Sequence, residues 1–169
     1  MKRMSADEAA EIIQHDQMVA FSGFTPAGSP KALPAAIARR AGELHQAQQP
    51  FQIRLLTGAS ISAAADDALS AADAVSWRAP YQTASGLRQK INQGKVNFVD
   101  LHLSEVAQMV NYGFFGEIDV AVIEASALAP DGRVWLTSGI GNAPTWLLRA
   151  KKVIIELNHY HNPVSYTHL

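Results

Sequence analysis

Short apolar runs alternate along the chain with segments in which apolar residues recur at helical spacing. Each apolar run predicts a strand: MVAFSGF (18–24), FQIRLLTGAS (51–60), AVSWRAP (74–80), VNFVDLHL (96–103), IDVAVIEASAL (118–128) and KVIIELN (152–158). The segments between them predict helices over 30–46, 62–72, 83–94, 104–113 and 141–152. A further helix is expected to begin at Ser5, because Ser5 and Glu8 stand at capping-box spacing, and Ser104 is the expected cap of the 104–113 helix.

This alternation predicts one α/β domain, with an open, mostly parallel sheet and helices on both of its faces. The run 118–128 is almost entirely apolar and β-branched, which is typical of a central strand buried on both faces. Asp131 and Gly132 then predict a tight turn into a return strand, so a C-terminal β-hairpin joins the sheet. Ligands of such sheets bind beyond the carboxyl ends of the strands, which points to loops 22–30, 57–62, 124–129 and 137–145.

Composition and charge narrow the class of protein. The chain has 169 residues, of which 48% are apolar, and 14 Lys and Arg stand against 15 Asp and Glu. No basic stripe is interleaved with aromatic residues, so nucleic acid is not expected as a partner. The N-terminus is interrupted by Asp7, Glu8 and Glu11, and no apolar run reaches membrane-spanning length. With no cysteine to form disulfides, we expect a cytoplasmic protein that does not bind membranes.

The loop SGFTPAGSPK (22–31) is the first candidate for chemistry. It has neither the Lys and Ser/Thr pair of a Walker A loop nor the three glycines of a dinucleotide fingerprint. The spacing of Gly23 and Gly28, with Lys31 near a helix start, leaves two readings open. The loop is either a plain strand-to-helix turn or a place where an anion meets backbone N–H groups.

Other polar clusters have weaker signals. Gly139, Gly141 and Asn142 fit either an anion-binding helix start or a glycine turn. His159 and His161 are spaced as a metal pair, but no third ligand is evident and a metal site is not expected. Trp77, Trp135 and Trp146 are expected in the core or in contacts between domains.

Six blocks together resemble the N-terminal part of the acetyl-CoA hydrolase/transferase family, in its succinate:acetyl-CoA and propionyl-CoA:succinate CoA-transferase branch. They are SGFTPAGSPKALPAAIARR, IRLLTGAS, ASGLRQKINQGKVNFVDLHLSEVAQMV, IDVAVIEASAL, GIGNAPTWL and KKVIIELNHYHNP. The resemblance runs in order from about Ser5 to Pro163 and is more specific than any single glycine motif.

The resemblance implies a class I CoA-transferase-like N-terminal domain over residues 1–163. It implies an enzyme that moves coenzyme A between an acyl-CoA (acetyl-, propionyl- or succinyl-CoA) and a small carboxylate, through a glutamyl-CoA thioester. Coenzyme A is then a substrate, and no tightly bound cofactor or metal is expected. The nucleophilic glutamate is expected in a C-terminal domain that this sequence does not contain, so the chain alone should be inactive. The full-length enzyme is expected to be a homodimer, and VSYTHL (164–169) to be a non-native tail.

The resemblance also implies substrate-pocket residues. Gly23, Phe24, Thr25 and Gly28 match the first active-site loop of the family, and Ser60 is expected to form hydrogen bonds near the reacting carboxylates. The alternative for Ser60 is that it caps the next helix, and for the glycines that they only permit tight turns.

Two further carboxylates lie in apolar strands. Glu124 and, more weakly, Glu156 are expected to have structural or positioning roles, because the resemblance places the nucleophile elsewhere. Apolar surface around Phe24, Trp77, Pro80 and Tyr81 should be exposed and make the chain self-associate.

The alternative functions are an acetyl-CoA hydrolase of the same family and a non-catalytic α/β module that binds a small metabolite.

Overall fold

A computed structural model describes residues 2–59 and 62–162, without the side chain of Ala63. Its helices are α1 (Ala6–Glu11), α2 (Ala32–Gln46), α3 (Ala68–Ala71), α4 (Ser85–Asn92), α5 (Leu103–Asn111) and α6 (Ala143–Arg149), and a π-helical turn, Ala63–Asp67, leads into α3. Its strands are β1 (Met18–Phe21), β2 (Ile53–Leu56), β3 (Val75–Ala79), β4 (Asn97–Phe98), β5 (Ile118–Leu128), β6 (Val134–Leu136) and β7 (Ala150–Leu157). None of these helices is long and apolar enough to cross a membrane.

The strands form one mostly parallel sheet, as predicted. Strands β4, β3, β2, β1 and β5 are neighbours in that order and parallel, and β7 pairs with β5 in parallel. Among the strands of the described residues, only β6 is antiparallel, and it forms the predicted hairpin with β5. The described part of the sheet is therefore the expected open α/β arrangement with a hairpin.

The two edges of β5 explain how the hairpin meets β1. Val120 pairs with both β1 and β7, and Ala125 pairs with both β6 and β7. Because a strand has two edges and β7 occupies one of them, β1 and β6 must share the other. Strand β6 therefore stands in line with β1, beyond its carboxyl end, and the chain that leaves β6 passes over the loop that leaves β1.

Alternate residues of the strands face two apolar layers. Val19, Phe21 and Val120 belong to the layer formed with α1 to α4, whereas Ala20 and Ala121 belong to the layer formed with α5 and α6. Residues Val120–Ser126 of β5 are all buried. Helices thus cover both faces of the sheet, and β5 is the buried central strand that its apolar run predicts.

The helix starts agree with the sequence-based expectation at α1 and differ from it at α5 and α2. The capping box of Ser5 and Glu8 is confirmed by two hydrogen bonds, from Ser5 N to Glu8 Oε2 (2.7 Å) and from Glu8 N to Ser5 Oγ (3.2 Å). The predicted cap at Ser104 is wrong, because the extended residue before α5 is His102, which places Ser104 inside the first turn. Helix α2 begins two residues later than predicted, at Ala32.

Candidate functional site

The loop between β1 and α2 folds back on itself directly beyond β1. Phe24 N donates to Ala27 O (2.8 Å) and Ala27 N donates to Phe24 O (3.1 Å), which closes a tight reversal. Three residues of the loop have positive φ: Gly23 (113°), Thr25 (54°) and Gly28 (70°). Thr25 N donates to Ala59 O (2.9 Å), so the loop is joined to the segment that follows β2. Four of the predicted pocket residues therefore lie in one compact turn at the carboxyl edge of the sheet.

This glycine loop, residues 22–31, packs backbone to backbone against the chain that leaves β6. A Cβ on Gly28 would lie 2.4 Å from Gly139 O, and a Cβ on Gly141 would lie 2.3 Å from Gly23 O. Gly139 is equally restricted, with Ala27 O at 2.5 Å. These distances are below any real Cβ contact, so glycine is required where the two loops touch. The glycines of 139–141 thus serve loop packing, and the seven-residue helix α6 follows them.

The same edge includes Gly58, the second residue after β2. A Cβ on Gly58 would lie 3.0 Å from the side-chain nitrogen of Asn142 and 3.7 Å from Gly23 O. The loops after β1, β2 and β6 are therefore in contact at one place, at the carboxyl edge of the sheet, where open α/β sheets bind their ligands. Sequence reasoning named all of these loops, and the structure adds that they touch.

The first turn of α2 is occupied by a side chain of this chain. The carboxylate of Glu156, on β7, accepts from Lys31 N (2.7 Å), Ala32 N (3.1 Å) and Leu33 N (2.9 Å). These are the N–H groups that an external anion would have used at the glycine loop. Of the two readings left open by the spacing, the structure supports the strand-to-helix turn.

Glu124 has the structural contacts expected of it. Its residue is 1% exposed, and its carboxylate accepts from Lys31 Nζ (2.8 Å) and Asn158 Nδ2 (2.5 Å). Its backbone N donates to Ser22 Oγ (2.9 Å), and that hydroxyl donates to Gly28 O (2.7 Å). The buried carboxylate is thus compensated by a cation, which supports a positioning role at the glycine loop.

A buried ion pair joins β3 to the π-helical turn 63–67, and the sequence analysis missed it. Arg78 is 0% exposed, its Nη1 donates to Thr57 Oγ1 (2.6 Å), and its Nη2 lies 3.4 Å from Asp66 Oδ1. Burial raises the pKa of the Asp66 carboxyl, and the charge of Arg78 opposes this rise only in part. Burial likewise lowers the pKa of Arg78. The available signal was an arginine within the apolar run 74–80, at a position where strands bury their side chains.

Ser60 lies outside the described residues. The helical segment after it begins at Ser62, which has extended backbone and accepts from Ala65 N through its hydroxyl (3.2 Å). The observed N-cap of this helical segment is therefore Ser62. A role of Ser60 at the reacting groups stays a prediction.

The expected apolar surface is only partly correct. Phe24 is 54% exposed and Tyr81 is 44% exposed, but Pro80 is buried and Trp77 is half-buried. Trp77 packs edge-on against Phe115, with ring centroids 5.6 Å apart, so the α5 side of the sheet covers it. Ile140, 41% exposed, adds to the apolar surface of the loop that touches the glycine loop.

The other candidates are a tryptophan and the two histidines near the end of the described chain. Trp146 is fully buried and its Nε1 donates to Phe21 O (3.0 Å), so it is a core residue. His159 and His161 belong to no group of three or more His, Cys, Asp or Glu side chains that could hold a metal within residues 2–59 and 62–162. Within the same residues, Gln82 Oε1 and Thr137 Oγ1 are buried without a hydrogen-bond partner, and both follow strands at the edge where the loops meet.

Solved structures that share this fold include a CoA-transferase and RipA. Glutaconate coenzyme A-transferase from Acidaminococcus fermentans superimposes with a TM-score of 0.69 and 15% identity, over 90% of this chain and 68% of that chain. RipA from Yersinia pestis superimposes with a TM-score of 0.73 and 20% identity, over 98% of this chain and 39% of that chain. The fold is therefore that of an α/β CoA-transferase domain.

The sequence defines the family. The model of the acetyl-CoA hydrolase/transferase N-terminal domain matches residues 1–166, so the chain belongs to that family and the resemblance of the six blocks is confirmed. The chain is 88% identical to propanoyl-CoA:succinate CoA transferase of Escherichia coli K12 over 161 residues, 95% of this chain and 33% of that protein. It is 41% identical to succinyl-CoA:acetate CoA-transferase of Clostridium kluyveri, over 93% of this chain and 29% of that protein. It is 32% identical to acetyl-CoA hydrolase of Saccharomyces cerevisiae, over 93% of this chain and 31% of that protein. The chain thus spans about a third of the length of these relatives.

Proposed function

We propose that this chain forms the N-terminal domain of an enzyme that transfers coenzyme A between an acyl-CoA and a small carboxylate. The observation that carries the proposal is the 88% identity to a propanoyl-CoA:succinate CoA transferase. Acetyl-, propionyl- or succinyl-CoA are the donors proposed, and coenzyme A is a substrate rather than a bound cofactor. The intact enzyme is proposed to be a cytoplasmic homodimer.

The chemistry requires parts that this chain does not supply alone. A glutamate carboxylate outside residues 1–163 attacks the thioester carbonyl, and the thiolate of coenzyme A leaves to give an acyl-glutamyl anhydride. The thiolate then attacks the glutamyl carbonyl, which releases the free acid and forms the glutamyl-CoA thioester. The acceptor carboxylate then attacks the carbonyl of the glutamyl-CoA thioester, which expels the thiolate and forms a new acyl-glutamyl anhydride. The thiolate attacks the acyl carbonyl of this anhydride, which gives the new acyl-CoA and releases the glutamate carboxylate. Each tetrahedral intermediate needs hydrogen-bond donors for its oxyanion, and water must be excluded to prevent hydrolysis.

Within this scheme the glycine loop is one wall of the substrate pocket. Gly23 and Gly28 bring the backbone close to substrate, Phe24 and Thr25 are presented at the turn, and Ser60 donates a hydrogen bond near the reacting carboxylates. The contact of this loop with Gly58 and with residues 139–141 supports the assignment, because the three loops form one surface at the edge where such folds bind ligands. The exposed side chain of Phe24 is available to an acyl group or to a second domain.

A chimera tests the transfer function. Residues 2–162 replace the corresponding region of the Escherichia coli relative, and exchange of coenzyme A between propanoyl-CoA and labelled succinate is measured. We expect exchange at a rate close to that of the parent enzyme, and none by the 169-residue chain alone. A folded chimera that catalyses neither exchange nor thioester hydrolysis contradicts the proposal.

The pocket assignment is tested in the same chimera. Ser60→Ala should lower kcat about tenfold or more, the order expected when a hydrogen-bond donor to reacting groups is lost. Ser104→Ala is the matched control, because its exposed side chain makes no hydrogen bond within the described residues. Equal activity of both variants would assign Ser60 to structure alone.

Hydrolysis is the second candidate function, since acetyl-CoA hydrolases are among the relatives. Their identity to this chain is 32–33%, against 88% for the transferase. Thioester hydrolysis faster than exchange in the chimera would favour this alternative.

A further inference from the structure

Two carboxylates stand side by side next to the glycine loop. Glu124 on β5 and Glu156 on β7 are partners in the parallel register, so their side chains leave the same face of the sheet. Both carboxylates bind Lys31, Glu124 through the ammonium group and Glu156 through the backbone N. One lysine therefore joins two neighbouring strands to the start of α2.

The same lysine also ties down the glycine loop. Lys31 Nζ donates to Ser29 O (2.8 Å) as well as to Glu124 Oε2 (2.8 Å). At the other end of the loop, Ser22 Oγ accepts from Glu124 N and donates to Gly28 O. Glu124 thus reaches both ends of the loop, through its backbone at Ser22 and through its side chain at Lys31.

The two charges of the ion pair differ in their exposure to solvent. The side chain of Glu124 is 1% exposed, whereas that of Lys31 is 50% exposed. If the ammonium group moved into solvent, the carboxylate would remain buried. The Glu124 carboxylate accepts from the cation of Lys31 and from the neutral side chain of Asn158, and its backbone N donates to Ser22. Glu156, the register partner of Glu124 on β7, brings a second negative charge to the same face of the sheet. Lys31 is the one cation among these contacts, and its loss leaves a buried charge without compensation.

We propose that Lys31 and Glu124 are positioning residues whose ion pair holds the glycine loop in the conformation that it presents at the carboxyl edge of the sheet. They act on substrate through the loop and not by contact. The consequence for turnover rests on the proposed function, whereas the consequence for loop conformation does not.

Hydrogen exchange in the 169-residue chain tests the conformational part. Lys31→Met keeps the backbone N–H that binds Glu156, so it removes the ammonium alone. Amide exchange of Phe24, Thr25 and Ala27 should rise about tenfold or more, as expected when local opening becomes easier, while β2 is unchanged. Lys152→Met is the matched control, because Lys152 is exposed and makes no side-chain hydrogen bond or ion pair with the described residues.

A double variant separates charge compensation from simple loss of packing. In Lys31→Met with Glu124→Gln, the buried position is neutral and no longer needs a cation, so loop exchange should return at least halfway, on a logarithmic scale, to the unsubstituted rate. Exchange as fast as in Lys31→Met alone overturns the proposal, as does an equal effect of Lys152→Met.

The chimera tests the catalytic part. Lys31→Met should lower kcat about tenfold with little change of KM, because a misplaced pocket wall mainly affects the geometry of the reacting groups. The double variant should recover part of kcat. If the unsubstituted chimera is inactive, the proposed function fails while the exchange experiment still decides the loop. If kcat per folded molecule is unchanged in Lys31→Met, the positioning role is overturned.

Discussion

Glycine is required at the contact between the glycine loop and the chain after β6 for two separate reasons. Gly28 has a φ of 70°, which side chains with a Cβ adopt at a cost. A Cβ there would also lie 2.4 Å from Gly139 O, and backbone atoms on both sides leave little room for adjustment. Conformation and space therefore act together, and any side chain at Gly28 must separate the two loops.

Gly28→Ala should destabilise the chain by about 2–4 kcal/mol, the sum of backbone strain and displaced packing. Gly42→Ala is the matched control, because Gly42 lies within α2 and a Cβ there meets nothing within 4 Å. This control should stabilise by roughly 0.5–1 kcal/mol, since alanine favours helix. Urea unfolding followed by circular dichroism measures both, and a loss below about 1 kcal/mol for Gly28→Ala would contradict the contact.

Helix α2 begins without a capping side chain of its own. Lys31, at the N-cap position, makes no side-chain capping bond, and the first N–H groups bind Glu156 from β7 instead. The helix start is thereby fixed to the far edge of the sheet. This connection, together with the Lys31 ion pair, orients the segment that carries the glycine loop into α2.

Glu156→Gln should destabilise the chain by about 1–2 kcal/mol, because charge-assisted bonds and favourable charge at the helix start are both lost. Glu105→Gln is the matched control. Glu105 lies in the first turn of α5 but makes no side-chain hydrogen bond to the described residues, so a change below about 0.5 kcal/mol is expected. The urea midpoint at unchanged slope reports the difference. Equal effects of the two substitutions would mean that the bonds of Glu156 add nothing to its charge.

The exposed apolar side chains of the described residues include a group at the carboxyl edge of the sheet and a group on the face covered by α5 and α6. Phe24 (54% exposed) and Ile140 (41%) lie on the loops in contact at the carboxyl edge. Tyr112, Phe114 and Leu148 are exposed on the side covered by α5 and α6. The relatives are about three times as long as this chain. We expect the apolar surface at the carboxyl edge to promote contacts between copies of this chain.

The chain should therefore self-associate with increasing concentration, as measured by sedimentation velocity. Phe24→Ser with Ile140→Ser should weaken association at least about fivefold, because apolar area at the loops is removed. Leu148→Ser, which alters a side chain that is 82% exposed on α6, is the control and should have a smaller effect. A monomer at every concentration contradicts the expectation, and a larger effect of Leu148→Ser moves the contact to the helical side.

Local patterns were sufficient to predict most of the fold. The apolar run of β5 predicts its two ends correctly, since a strand buried on both faces needs no polar alternation. The capping box of Ser5 and Glu8 is equally local, because its two partners are three residues apart. The π-helical turn 63–67 and the early start of α5 were not predicted, since a single helical periodicity does not distinguish these variants.

The sequence by itself determined the α/β class and the family, because periodicity, turn residues and block order are local features of the chain, and it predicted the loops for which a site is proposed. Only the tertiary structure decided how those loops are held. Glu156 and Lys31 are 125 residues apart, Glu124 and Lys31 are 93 apart, and no local pattern encodes such a pairing. The contact of Gly28 with Gly139 has the same origin, because it follows from β6 standing in line with β1. The glycines were visible in the sequence, but the reason for them lies in strands that meet only when the sheet is complete.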